Sequence, residues 1–175
     1  MAGGVTNRPH ARSPYSTDQS LTDRFDKFFV AELPRLVGYC AGLVGSRDEG
    51  ADIAQEALVR TFARWVSVRE PHAYVYLVAT NLIRASWRRE RRQRHALTML
   101  SRRPTVESSS DLSLRDLVDR LPETQRVAVL LHYYADLPIE TVARLLNRPS
   151  GTVRRHLHEA RSFLAVELRK DHSDD

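Results

Sequence analysis

The chain has 175 residues, of which 42% are hydrophobic, and a formal net charge of +5 at pH 7. This length allows one medium domain or two small ones, and the positive charge suits a polyanionic partner. The single cysteine, Cys40, excludes an intrachain disulfide and a cysteine-rich zinc site. No apolar run approaches the ~20 residues of a membrane span, and residues 1–20 lack the apolar core of a signal peptide. We therefore expect a cytoplasmic protein without membrane insertion.

Apolar residues recur at helical spacing along the chain and no strand-like alternation occurs, which predicts an all-α fold. Residues 1–20 contain several Gly, Pro, Ser and Thr residues and are predicted to form a disordered tail. A first helix is predicted from about Leu21 to Leu43. Pro34 is expected to kink or divide this helix, because proline removes a hydrogen bond from the helix interior.

A second helix is predicted to begin after Ser46, because Ser46 and Glu49 have the spacing of a capping box. It ends near residue 65 and is expected to bury four apolar side chains, Ala54, Leu58, Phe62 and Trp65. A turn at Pro71 separates it from a third helix, which is predicted from about His72 to near His95.

Acidic and amide side chains share one face of the second helix. Asp52, Gln55 and Glu56 have the i, i+3, i+4 spacing that places them together. Carboxylates near a helix start are favoured by the helix dipole, so a purely structural role is one open interpretation. No histidine lies close in sequence and no nucleophile motif accompanies them. We therefore predict no catalytic residue, no metal site and no cofactor, and the chain is not expected to be an enzyme.

A basic tract occupies the second part of the third helix. Its only acid is Glu90, and it contains Arg84, Trp87, Arg88, Arg89, Arg91, Arg92 and Arg94. A helical surface of this charge suits a phosphate backbone. Trp87, Tyr74 and Tyr76 could stack on unpaired bases, as in single-strand binders. The alternative is that these aromatic side chains belong to the core.

The composition changes after the basic tract. Residues 97–111 contain several turn-forming residues and few bulky apolar ones, which predicts a flexible linker. A short amphipathic element follows, with apolar residues Leu114, Leu117, Val118 and Leu121. Pro122 fits the first turn of the next helix, which contains Val127, Val129, Leu130 and Leu131.

Residues 137–164 have the pattern of a helix-turn-helix. Pro138 opens a helix with an apolar side, and Asn147-Arg148-Pro149 ends it. A second helix begins at Ser150-Gly151-Thr152, and Val153, Leu157, Ala160 and Leu164 form its core-facing stripe. Its opposite side carries Arg154, Arg155 and His158. This arrangement is typical of a unit that places side chains in the major groove of DNA.

These motifs, in this order, resemble the extracytoplasmic-function sigma factors, the small group (group IV) of the bacterial sigma-70 family. The resemblance covers roughly residues 25–169. Asp52-Ile53-Ala54-Gln55-Glu56 is similar to the family's D-x-x-Q-E motif. The resemblance implies that Asp52, Gln55 and Glu56 bind the clamp coiled coil of core RNA polymerase. It also implies that an anti-sigma factor is a partner.

The resemblance further implies two DNA-binding surfaces. Tyr74 to Asn81 resembles the family helix that ends in asparagine and captures an unpaired base of the −10 element. Gly151-Thr152-Val153 matches the opening of the helix that reads the −35 element as duplex. The −10 residues expected, on the melted strand, are Tyr74, Asn81, Arg84, Trp87, Arg88, Arg89, Arg91 and Arg92. The −35 residues expected are Arg148, Ser150, Thr152, Arg154, Arg155 and His158.

Several positions depart from the family pattern. Tyr74 lies at a position where many members of the family have tryptophan. The other departures are at Ala85, Thr141, Arg155, His156 and Glu159. These departures bear on DNA sequence preference, since Glu159 could repel phosphate or accept from a cytosine amino group.

The predicted organisation is two small helical domains, sigma region 2 at 21–96 and sigma region 4 at 112–170, with a C-terminal tail at 171–175. The predicted function is an alternative sigma factor. The competing hypothesis is a stand-alone helix-turn-helix regulator that binds duplex DNA without polymerase.

Overall fold

The computed structural model describes residues 14–97 and 114–171, and this part of the chain is helical with no strand. The all-α prediction is therefore confirmed. Within these two ranges there are seven α-helices, with a π-helical turn, Leu130–Tyr134, directly after the fifth. Their bounds are α1 Pro14–Val44, α2 Arg47–Phe62, α3 Pro71–Leu97, α4 Leu114–Asp119, α5 Glu123–Val129, α6 Ile139–Leu146 and α7 Ser150–Asp171.

The start of α1 corrects the sequence prediction. The helix begins at Pro14 rather than near Leu21, so the last part of the predicted disordered tail is helical. Proline suits the first turn of a helix because its φ is already fixed and its missing N–H has no partner there. Pro34 lies inside α1 and does not divide it. The predicted linker lies outside the described residues except for Leu97, which ends α3.

Helices α1, α2 and α3 form the first half of the molecule, with α2 packed against both of the others. Ser46 caps α2 as predicted, and its side-chain oxygen accepts from the Glu49 amide at 3.4 Å. Gly50 lies so close to α1 that an added Cβ would be 2.6 Å from the Ala41 amide nitrogen. The absence of a side chain at Gly50 therefore lets α1 and α2 approach.

Helices α4 to α7 and the π turn form the second half, in which α7 packs against α5 and α6. Its buried side chains include Leu117, Val127, Leu131, Val142, Val153 and Leu157. The predicted apolar stripe of α7 is buried at Val153, Leu157 and Ala160, while Leu164 is only partly buried. The stripe thus fixes which side of α7 faces the core and which side faces solvent.

The two halves are in contact. Helix α1 packs against the π turn and α4, and buried residues of both halves belong to one connected core. The ring of His72, at the start of α3, lies 2.9 Å from the Ala135 carbonyl oxygen in the second half. The second half therefore packs on the helices of the first.

Candidate functional site

The acidic face of α2 is exposed to solvent. Asp52, Gln55 and Glu56 are all exposed and lie on one side of the helix, as the spacing predicts. Glu56 accepts from Nε of Arg60 at 2.6 Å, an ion pair between two half-exposed side chains. Such surface pairs contribute little to stability. The face is therefore available to a partner at little cost to the fold.

Apolar side chains extend this face toward the end of α2. Val59 is 64% exposed, Phe62 49% and Val66 81%. The expectation that Phe62 is buried is wrong, because about half of the residue stays exposed although its ring packs against Phe25, with the ring centroids 4.7 Å apart. Trp65 is partly buried, with its ring 5.1 Å from that of Phe25. An exposed strip of carboxylates followed by apolar groups is typical of a protein-binding surface.

The basic residues of α3 lie mainly on its exposed surface. Arg88, Arg89, Arg91 and Arg92 are exposed, and Arg84 is partly buried. Arg91 forms an ion pair with Glu123 of the second half. Trp87 is partly buried and packs against the core, while the rest of the residue remains exposed to solvent.

Tyr74 and Asn81 line a common cleft between α2 and α3. This cleft, of about 360 Å³, is lined by Arg60, Ala63, Arg64, Tyr74, Val78 and Asn81. Asn81 is exposed and Tyr74 is partly buried. Arg60 of α2 and Arg64, in the turn after α2, bring positive charge to the cleft. Sequence reasoning missed both of them, because only the packing of α2 on α3 places them beside Asn81.

Tyr76 is not available for base stacking, which corrects that hypothesis. It is fully buried, and its hydroxyl donates to Oε1 of Glu32 at 2.9 Å. Burial and the nearby Glu32 carboxylate raise the pKa of Tyr76 far above its ordinary value. Tyr76 therefore belongs to the seam between α1 and α3, where the Tyr39 hydroxyl also hydrogen-bonds with Oγ1 of Thr80 at 2.7 Å.

The turn of the helix-turn-helix follows the predicted break. Asn147 ends α6 in the left-handed conformation, with φ of 51°, a conformation that asparagine tolerates well. The Arg148 amide then donates to the Ala143 carbonyl at 3.0 Å, and α7 begins at Ser150. The amide groups of Asn147 and Arg148 thus find acceptors within the turn.

The solvent side of α7 carries the predicted basic residues. Arg148, Arg154, Arg155 and His158 are exposed, and Ser150 and Thr152 are partly buried. Arg154 donates to Oε1 of Glu140 at 2.9 Å. Glu159 accepts from Nε2 of Gln125 at 2.9 Å, so a neighbouring helix holds this unusual acid on the same surface. Thr141 is buried instead and accepts from Arg144 at 3.1 Å.

Within residues 14–97 and 114–171, no group of three or more potential ligands is placed to hold a metal ion. The same residues contain no helix that is both long and apolar enough to span a membrane.

Two family models match the chain. The model of sigma-70 region 2 matches residues 28–93, and that of sigma-70 region 4 matches residues 111–164. The chain is 31% identical over 135 residues to an RNA polymerase sigma-E factor of Streptomyces antibioticus, covering 73% of this chain and 74% of that protein. It is 27% identical over 164 residues to the ECF RNA polymerase sigma factor EcfG of Rhodopseudomonas palustris (strain TIE-1), covering 89% and 91%.

The fold is also similar to that of a solved sigma factor. The sigma factor RpoE, crystallised in complex with the anti-sigma factor NepR from Bartonella quintana, superposes with a TM-score of 0.70 at 19% sequence identity. The match covers 83% of this chain and 97% of that one. The chain therefore belongs to the extracytoplasmic-function group of the sigma-70 family of RNA polymerase sigma factors.

Proposed function

We propose that this chain binds core RNA polymerase, recognises the −10 and −35 elements of a set of promoters and starts their transcription. Residues 21–96 bind polymerase and the −10 element, and residues 112–170 bind the −35 element. Bond formation belongs to the polymerase, so the chain has no turnover of its own. Because its partners are polymerase and promoter DNA, we expect it to act in the cytoplasm.

The exposed face of α2 supports polymerase binding. Asp52, Gln55 and Glu56 would provide its polar part, as the family resemblance implies, and Val59 and Phe62 would provide an apolar part. Removing such exposed apolar groups from water favours association by about 25 cal/mol per Å² of apolar surface. The observation that carries the proposal is this combined face, since it is exposed and, apart from the Phe62 ring that packs on Phe25, the packing of the three helices does not require its side chains.

The cleft beside Asn81 supports capture of an unpaired base. An exposed amide can hydrogen-bond to a base edge, and Tyr74 offers an aromatic surface. Arg60 and Arg64 at the rim, with Arg88 and Arg92 farther along α3, would hold the phosphates on either side. This arrangement favours a melted strand over a duplex, because a stacked base cannot enter a cleft.

The exposed side of α7 supports recognition of the −35 duplex. Arg154, Arg155 and His158 lie on the solvent side of the second helix of a helix-turn-helix, the helix that enters the major groove in this motif. Arg148 at the turn would contact the backbone. The RpoE relative binds an anti-sigma factor, and we propose that a partner of this class controls the present chain.

Binding to core polymerase tests the proposal. The full chain, Glu56→Lys and Asp26→Lys are each mixed with bacterial core RNA polymerase and separated by size. Asp26 is an exposed carboxylate on α1, so its reversal makes the same change of charge at another place. Wild type and Asp26→Lys should co-elute with polymerase. Glu56→Lys should bind about tenfold more weakly or worse, a loss of about 1.4 kcal/mol or more.

A pair of exposed valines tests the apolar part of the face. Val59→Ser should weaken polymerase binding, whereas Val30→Ser, at a valine of similar exposure on α1, should not. If the wild-type chain fails to co-elute and instead binds duplex DNA unaided, the polymerase proposal is wrong. A stand-alone helix-turn-helix regulator would then take its place.

A further inference from the structure

The two halves of the chain meet around one histidine. Nδ1 of His72 lies 2.9 Å from Oε2 of Glu32 on α1, and Nε2 lies 2.9 Å from the carbonyl oxygen of Ala135 in the second half. The other carboxylate oxygen of Glu32 already accepts from the Tyr76 hydroxyl. Both partners of the ring are therefore hydrogen-bond acceptors.

Two acceptors require that both ring nitrogens carry hydrogen, and only the imidazolium form does. A neutral ring would keep its hydrogen on Nδ1, toward the charged Glu32 carboxylate, and would direct the Nε2 lone pair at the Ala135 oxygen. The hydrogen bond to Glu32 raises the pKa of His72, burial opposes this, and the Ala135 carbonyl and the Glu32 charge raise it further. Arg35 of α1 opposes the charged ring, while Tyr76 of α3 offers a neutral hydroxyl nearby. The net effect is that the pKa of His72 is raised above its ordinary value.

Close packing accompanies this hydrogen bond. Gly38 and Gly42 lie one helical turn apart on α1. The Tyr134 side chain occupies the space where a Cβ of Gly38 would be, and the Leu130 side chain comes close to the corresponding space at Gly42. A side chain at Gly38 would overlap the Tyr134 hydroxyl. Two exposed ion pairs also connect the halves, Arg144 with Glu70 at 3.2 Å and Arg91 with Glu123.

The contact between the halves engages part of the candidate DNA surface. Tyr74 and Leu77 of α3 line a cleft of about 580 Å³ whose other wall includes Thr141 and Leu145 of α6. Arg91 is engaged with Glu123. A DNA strand lying along α3 would therefore compete with the second half for these residues.

We propose that the free chain closes on itself through protonated His72, and that loss of this proton releases the second half, opens the cleft beside Tyr74 and frees Arg91 from Glu123. Closure itself depends only on the contacts between the halves. Its effect on promoter binding rests on the proposed function, so the two are tested by separate measurements.

The direction of the pH response follows from the two ionisable groups. The Glu32 pair lies within the first half and persists in the open form, whereas the Ala135 hydrogen bond forms only on closure and raises the pKa of His72 further. Protonation of His72 therefore stabilises closure below the pKa of the open form, and this contribution is lost as the pH rises through the higher pKa of the closed form. Burial raises the pKa of Glu32. The hydrogen bond from His72, the positive charge of His72 and the hydrogen bond from Tyr76 act in the opposite direction, and together they lower the pKa of Glu32. Glu32 therefore stays ionised where His72 titrates.

Energy transfer between two dyes measures closure in the full chain without polymerase or DNA. Dyes are attached at Arg47→Cys and Arg161→Cys, exposed sites in the two halves, while Cys40 is fully buried. Transfer is followed from about pH 5.5 to about pH 9. We expect the wild-type efficiency to fall about twofold or more across this range.

Two variants test the assignment. His72→Gln should remove the pH transition, whereas His158→Gln, at an exposed histidine on α7, should keep it. The proposal is overturned if wild-type transfer is independent of pH, or if His72→Gln keeps the transition.

Discussion

Gly50→Ala should destabilise the first half of the molecule, although alanine is the better helix former. The new Cβ would lie 2.6 Å from the amide nitrogen and 2.8 Å from the Cα of Ala41. These atoms belong to the α1 backbone and cannot rotate away. Helices α1 and α2 must therefore move apart by several tenths of an ångström.

The expected magnitude is the difference between two effects. Helix propensity favours alanine over glycine by about 1 kcal/mol, whereas overpacking of this kind costs about 1–3 kcal/mol. Separation of the helices would also loosen the fully buried Ala54, Ala57 and Leu58 on the same face of α2. This places the overpacking cost near its upper end, and we expect the free energy of unfolding to fall by about 1–2 kcal/mol.

Urea unfolding followed by tryptophan fluorescence measures this change, because both tryptophans, Trp65 and Trp87, lie in the first half. Gly151→Ala is the matched control, followed by circular dichroism. Nothing lies within 4 Å of a Cβ added at Gly151, so stability should be unchanged or slightly higher. A Gly50→Ala midpoint at or above that of the wild type, with an unchanged denaturant slope, would refute the packing argument.

Three further measurements follow from buried and exposed groups. Burial raises the pKa of the Cys40 thiol to about 12. An aromatic disulfide reagent should therefore react about 100-fold more slowly with the native chain than with the chain in urea. Equal reaction rates would contradict the burial of Cys40. Because the pKa of Glu32 is lowered, ionised Glu32 stabilises the folded chain above pH 4.5, and this contribution is lost as the pH falls through the lowered pKa. Glu32→Gln should therefore make the free energy of unfolding less dependent on pH in acid. An unchanged dependence would exclude this role of Glu32. Arg88→Ala should reduce by about 1 the slope of log binding constant against log salt concentration for promoter binding by the polymerase complex. The control Arg115→Ala on α4 should leave this slope unchanged. Equal slopes for Arg88→Ala and the wild type would show that Arg88 does not contact DNA.

The helices and their ends could be predicted from sequence because they depend on residues close to one another along the chain. The Ser46 cap, the break at Asn147-Arg148-Pro149 and the buried stripe of α7 are all confirmed by the structure. Each depends on spacing within a few turns of helix. The start of α1 could not be predicted in this way, because proline and serine residues are also typical of a disordered tail.

The tertiary structure decided which aromatic rings are buried and which surfaces form a site. Spacing alone treats Tyr74 and Tyr76 alike, yet Tyr76 is enclosed against Glu32 and Tyr74 lines the cleft. Arg60 and Arg64 enter that cleft only because α2 packs on α3.

The contact of the two halves was likewise beyond sequence reasoning. His72 and Ala135 are 63 positions apart, and no local pattern connects them. Local periodicity specifies which side of a helix is apolar, and therefore the sequence by itself determined the helices, the helix-turn-helix and the order of the family motifs. The partner that each apolar side meets depends on how all the helices fit together, and for this reason only the tertiary structure decided the cleft, the buried seam and the junction at His72.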